Sequence, residues 1–241
     1  MQTTISKYCG DPPKDHNMTE HTKLTRYSLA SVVYESIRNS LAEGELSPNE
    51  RLNIRSISQQ LGVSQTPVRE ALLQLIAERA LTLNHNRSVT VPLLSAEQFG
   101  ELRDIRIALE SLAVQFAAQN VSDKDISSLA EIHAELISAK SKQDFKTTLQ
   151  LNRKFHFSTY KLSQREELVA LIDALWVRTG PYLGLVYKYE NTVPSPVHAH
   201  QLLLDAFARR DPDAAASAIK QDIVAGGAPI LEALKNAPEG A

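Results

Sequence analysis

Residues 50–75 read ERLNIRSISQQLGVSQTPVREALLQL. Asn53 is suited to cap a short helix that carries Ile54, Ile57 and Leu61 on one face, and Gly62 closes that helix at the position where a left-handed residue is favoured. Ser64 or Thr66 can cap a second helix bearing Val68, Leu72, Leu75 and Ile76, with Pro67 tolerated in its first turn. The tight Leu61-Gly62-Val63-Ser64 link between two short helices is the arrangement a helix-turn-helix needs, because the second helix must cross the first closely enough to be presented outward. Upstream, from Ser28, apolar residues recur at Leu29, Val32, Val33, Ile37 and Leu41 with helical spacing until Gly44, and Ser47-Pro48-Asn49 makes a turn. Downstream, Leu81-Thr82-Leu83 and Ser88-Val89-Thr90-Val91 flank the polar tip Asn84-His85-Asn86-Arg87 and read as a β-hairpin. Residues 24–92 are thus expected to form a winged helix-turn-helix.

The remainder, residues 93–241, shows neither a strand pattern nor an internal repeat. Ser95-x-x-Gln98 is a capping box for a long helix with Phe99, Leu102, Ile105, Leu109, Leu112 and Phe116. Further helical periods cover 123–140, 143–162, 165–189, 195–210 and 212–225, with a short piece near 228–236. Gly180-Pro181 is expected to break or kink the fourth of these helices. Short links between long helices predict an all-helical antiparallel bundle, so the fold class is mainly α with one small β-hairpin wing. Residues 1–23 carry no apolar period and read as a flexible tail.

Composition narrows the function classes. The 241 residues are 43% hydrophobic and 22% charged, an ordinary globular balance, and no uninterrupted apolar run reaches the ~20 residues of a membrane span. The lone cysteine, Cys9, excludes an internal disulfide or a Cys-rich zinc site, and a cytoplasmic location without membrane attachment is expected. Net charge is −2, which by itself does not point to nucleic acid. Within 24–92, however, seven Lys/Arg, all of them arginine, stand against six Asp/Glu, whereas 93–241 hold 16 against 19.

Two constellations carry chemistry. The start of the second short helix offers Ser64, Gln65, Thr66 and Arg69, with Arg55 near the start of the helix before it. Arginine can bond guanine O6 and N7 bidentately, glutamine suits adenine, and threonine reaches a phosphate or a thymine methyl. In the bundle, Phe145, Leu149, Asn152 and His156 share one helical stripe, Val197, His200, Leu204 and Phe207 another, and Asp222 lies close behind Ile219 on the last. Two imidazoles, a carboxylate and an amide oxygen on inward faces suit a first-row divalent metal, zinc first, with manganese and nickel served by the same ligands. Each residue singly has an ordinary reading as a hydrogen-bonded core group. His198, two residues from His200, points elsewhere. Arg106, on the inward stripe between Leu102 and Leu109, either pairs with Glu110 one turn on or binds a ligand carboxylate through its planar fork. Arg103, Arg153, Trp176, Arg178, Tyr182 and Tyr187 are candidates for the wall of such a pocket.

With these residues in view, ERLNIRSISQQLGVSQTPVREALLQL resembles the DNA-binding domain of the GntR family of bacterial transcription regulators. LRDIRIALE, residues 102–110, resembles the helical effector domain (FCD) of its FadR-type branch. The resemblance covers about 28–225. It implies that Arg55, Gln65, Thr66 and Arg69 act on DNA, that His85 at the wing tip enters the minor groove, and that Asn152, His156, His200 and Asp222 match a metal-binding set of Asp, His, His and His. The sequence departs from the family at Gln65, where arginine is usual, in the wing tip, where glycines are usual, and at Asn152 and Asp222, where Asp and His are usual.

The function expected is a ligand-responsive repressor released from a palindromic operator by a small organic acid that binds at Arg106, Asn152, His156 and His200. One reading helix covers few base pairs, so specificity calls for a homodimer on two half-sites. The alternative is a metal-dependent enzyme using His156, His200 and Asp222. Against it, no HExxH or GxSxG motif is present, and an enzyme has no need of the DNA-reading head.

Overall fold

The computed structural model describes residues 29–189 and 196–236. The N-terminal segment 1–23, Cys9 and the side chains of Tyr187, Val197 and His198 lie outside the described residues. The head consists of α1 (Leu29–Ala42), β1 (Arg51–Leu52), α2 (Ile54–Leu61), α3 (Gln65–Ala77), β2 (Thr82–Leu83) and β3 (Val89–Thr90). Asn53 caps α2 by accepting from the amides of Arg55 and Ser56 at 2.9 and 3.2 Å, and Gly62 ends it at φ 65°. Ser64 takes the N-cap position of α3 but makes no side-chain cap bond. The hairpin is in register Thr82↔Thr90 and Leu83↔Val89.

The sheet has a third strand that hydrophobic periodicity did not reveal. Arg51–Leu52 pairs antiparallel with β3, giving the order β1-β3-β2. Two residues are too few to show alternation, and the pairing is extended by Asn49 and Val91 donating to the carbonyls of Val91 and Glu50. Val33, Ile37 and Leu41 of α1 pack on Val68, Leu72 and Leu75 of α3 in the head core. The expected stripes are narrower than their apolar residues suggest, since Leu29, Val32 and Leu61 are exposed.

The bundle comprises α4 (Ala96–Asn120), α5 (Asp123–Ser141), α6 (Phe145–Lys161), α7 (Glu166–Tyr189), α8 (Pro196–Ala208) and α9 (Pro212–Asn236). The Ser95/Gln98 capping box is formed. Two boundaries differ from expectation. Helix α7 runs unbroken through Gly180-Pro181, and α9 continues through Pro229 to Asn236 as one helix. An internal proline removes one hydrogen bond, which the packing of α7 on α1, α4, α6 and α9, and of α9 on α4 and α8, outweighs. On α4 the inward face is Phe99, Leu102, Arg106, Glu110, Ala113 and Ala117, while the expected core residues Ile105 and Leu112 are exposed. The segment Glu166–Val186 of α7 is apolar and long enough by composition to cross a membrane, but half of it is buried against other helices, as in a core helix.

Helix α7 also joins the two parts. Val177 belongs to the head core, and the end of α1 lies backbone to backbone on α7. A Cβ at Gly180 would stand 2.3 Å from the Leu41 carbonyl oxygen, and one at Gly184 2.2 Å from that of Gly44. Asp173 of α7 binds Arg38 of α1 at 2.6 Å and Arg153 of α6 at 2.7 Å. Tyr182 accepts from the Leu94 amide and donates to the Pro92 carbonyl, so its hydroxyl ties down the link between head and bundle.

Candidate functional site

On the head, Arg55, Ser64, Gln65, Thr66, Arg69 and His85 are all exposed. Val68, Leu72 and Leu75 hold α3 to the core, which leaves the opposite edge of its first turns facing solvent. Among the described residues none of Arg55, Arg69 and Arg87 has a carboxylate partner within ion-pair distance. Unpaired guanidiniums on an exposed helix start retain their full charge and donor capacity for phosphate and base edges.

Inside the bundle the structure brings together His156 of α6, His200 of α8 and Asp222 of α9. Nε2 of His156 is 3.2 Å from Nε2 of His200 and 3.2 Å from Oδ2 of Asp222, and His200 Nε2 is 3.9 Å from Asp222 Oδ1. Two nitrogen ligands at ~2.0–2.1 Å from a tetrahedral metal stand about 3.3 Å apart, so this spacing fits one shared cation. Both imidazoles are buried and Asp222 nearly so. Burial pushes the His200 imidazole down to about 3, leaving it neutral and able to coordinate at pH 7. Burial would raise the Asp222 carboxyl, but its contacts with His156 and His200 and the nearby Arg106 outweigh that and keep it below the usual carboxylate range. Asn152, one turn before His156, is buried with its Oδ1 unpartnered, a state that costs ~1–3 kcal/mol unless a ligand or ion supplies the contact. The residues present therefore fit a divalent metal.

A buried relay orients the first imidazole. Tyr160 donates to Glu110, so its oxygen is free to accept from Nδ1–H of His156 at 3.0 Å, which puts the His156 lone pair on Nε2, facing His200 and Asp222. Glu110 is completely buried and also accepts from Trp176 Nε1 at 3.1 Å and from Arg106 Nε at 2.6 Å. Burial and the neighbouring Glu110 raise the Tyr160 phenol well above its ordinary range. Burial opposes the Arg106 charge, but Glu110 more than restores it. Of the two readings of Arg106, the bridge to Glu110 is formed, with the guanidinium stacked 4.6 Å over Trp176. Its Nη1 and Nη2 make only long contacts of 3.5 Å, to Thr179 and Glu110.

Trp176 is thus part of the relay, whereas Arg103 pairs with Asp104, Arg153 with Asp173, and Arg178 lies near Arg79 of the head. Sequence reasoning overlooked Tyr160 and His133 and saw Glu110 only as a partner for Arg106. Tyr160 continues the 152/156 stripe by one more turn, so the signal was present. His133 of α5 is buried, with its ring 5.4 Å from that of His200 and its Nδ1 unpartnered. Phe155 stacks on His200 at 4.0 Å and holds that ring in place.

Residues 29–91 match the family profile described as bacterial regulatory proteins, gntR family, and residues 101–225 match the FCD domain. The chain belongs to the GntR family. Within its FCD branch, the chain is 36% identical over 193 residues to the HTH-type transcriptional regulator McbR of Escherichia coli K12, covering 78% of this chain and 86% of that protein. It is 27% identical to the probable D-xylose utilization operon transcriptional repressor of Paenarthrobacter nicotinovorans, covering 84% and 89%. The solved structure of E. coli McbR/YncC superposes with a TM-score of 0.80 at 31% identity, over 86% of this chain and 99% of that one. The protein is a DNA-binding transcriptional regulator built from a winged head and an FCD effector domain, in a family of regulators and not of enzymes.

Proposed function

We propose that this regulator is a homodimeric, cytoplasmic repressor that leaves a palindromic operator when a small organic acid binds its metal-bearing bundle. The convergence of His156, His200 and Asp222 with their facing atoms within 4.8 Å of one another carries this reading. Asn152, His156, His200 and Asp222 would hold the ion, zinc first and manganese or nickel next, and a bound ion would offer a coordination position to a carboxylate oxygen. The outer nitrogens of Arg106 are the donors left to orient the acid, since Nε is committed to Glu110. Ser64, Gln65, Thr66 and Arg69 read bases in the major groove, Arg55 holds phosphate or a base edge, and His85 reaches the minor groove.

A physical route connects the two ends. Asn152 and His156 share α6 with Arg153, and Arg153 reaches α1 of the head through Asp173 and Arg38. An acid favouring one α6 position would shift the heads by no more than its differential affinity for the two arrangements.

The test is a fluorescence-anisotropy titration of an operator selected from random duplexes, using protein purified without a metal-affinity step and assayed for metal. The expected result is near one metal per chain, lost in His156→Ala, and operator binding that citrate or another carboxylic acid weakens in wild type but not in His156→Ala. Absence of metal even after incubation with zinc, or an acid effect that survives His156→Ala, would overturn the metal-anchored effector reading.

A further inference from the structure

On the outer side of α6, away from the metal ligands, α6, α7 and the turn between them enclose an open groove of about 730 Å³. That volume is within the ~300–1,000 Å³ of small-molecule sites. Its floor is apolar, formed by Phe157 and Val169, and its rim carries Arg153, Lys161 and Arg165. The rim carboxylates answer only part of this charge: Asp173 is shared between Arg38 and Arg153, while Lys161 and Arg165 make no ion pair among the described residues. Two of the cations are held by aromatic faces, Arg153 4.5 Å over Phe157 and Arg165 4.5 Å over Phe116, so they are positioned before any anion arrives. Nε of Arg153 is buried without a hydrogen-bond partner.

We propose that this groove is a second binding site, separate from the metal centre, for a small amphipathic organic anion. Its acid group would take Arg153, Lys161 and Arg165, and its apolar body would lie on Phe157 and Val169. Charge complementarity selects a compact anion over a nucleic acid backbone, because Glu166, Asp173 and, in the adjoining cleft, Glu43 interrupt the cations along the groove. An acid group on Arg153 would compete with Asp173 and so loosen the tie from Asp173 to Arg38 of the head.

The probe is 1-anilinonaphthalene-8-sulfonate, which joins one sulfonate to an apolar ring body and becomes fluorescent on binding. The expected result is one saturable site per chain, weakened at least tenfold in Lys161→Ala/Arg165→Ala and unchanged in His156→Ala. Both groove residues are exposed, so circular dichroism should show the double variant folded like the wild type. Three outcomes would overturn the proposal. One is no saturable site in the wild type; another is equal binding by the groove variant; the third is loss of binding in His156→Ala alone, which would place the probe at the metal centre. Conversion of a dimer to a monomer by the double variant, with no probe binding in the wild type, would instead assign the groove to a second copy of the chain.

Discussion

Replacing Glu110 by glutamine keeps its size while removing the charge that answers Arg106 in a buried site. Breaking a buried pair in this way costs ~3–5 kcal/mol, because the remaining ion loses its partner without regaining hydration. Two further bonds, from Tyr160 and Trp176, change from charge-assisted to neutral, which adds to the loss. Against a total stability of ~5–15 kcal/mol this is a large fraction. Trp176, the single tryptophan, donates to Glu110 itself, so its fluorescence reports the site during urea unfolding at a fixed protein concentration. The companion variant Arg106→Met/Glu110→Gln removes both charges while the glutamine carbonyl still accepts from Tyr160 and Trp176, and should recover part of the loss, giving a strongly non-additive cycle with the single variants Arg106→Met and Glu110→Gln. A cost below about 1 kcal/mol for Glu110→Gln, or additive costs in the cycle, would refute the buried, mutually dependent Arg106–Glu110 pair.

Arg69→Ala should weaken operator binding by ~1–3 kcal/mol and relax preference at one base pair, read by competition against single-base operator variants; an unchanged isotherm removes Arg69 from base reading. Asn53→Ala should lower stability by ~0.5–2 kcal/mol through loss of the α2 cap, measured by urea titration. Glycine contacts predict opposite signs within one protein: Gly184→Ala drives a methyl into the Gly44 carbonyl and should lower the melting temperature, whereas Gly226→Ala, in α9 with open space around it, should stabilise by ~0.5–1 kcal/mol. Partial burial and the Glu78 carboxylate push the Tyr34 phenol up to about 12, so the folded state favours the neutral form. That contribution is complete below pH 10 and disappears as pH rises towards 12, and the alkaline fall in melting temperature should be shallower in Tyr34→Phe.

The winged head was legible because its determinants are local. Asn53 caps the helix that follows it, Gly62 supplies the one left-handed residue the turn needs, and Val68, Leu72 and Leu75 repeat on a single face, so neighbours in sequence are neighbours in space. The candidate metal residues were legible for a related reason, since a polar side chain on an otherwise apolar stripe must be satisfied inside the bundle. Periodicity misjudged elements whose state depends on distant partners. β1 exists only because β3 pairs with it, and α9 continues past Pro229 packed along α4 and α8. The same holds at the site. Spacing places Asn152, His156 and Tyr160 on one face of α6, but only the packed bundle sets Glu110 of α4 against Tyr160 and His200 against His156. The sequence by itself determined where the helices run and which polar groups interrupt their apolar stripes, because local hydrogen bonding and helical period operate within a few residues. The tertiary structure decided which inward groups meet, because contacts between 44 and 90 residues apart depend on how whole helices cross.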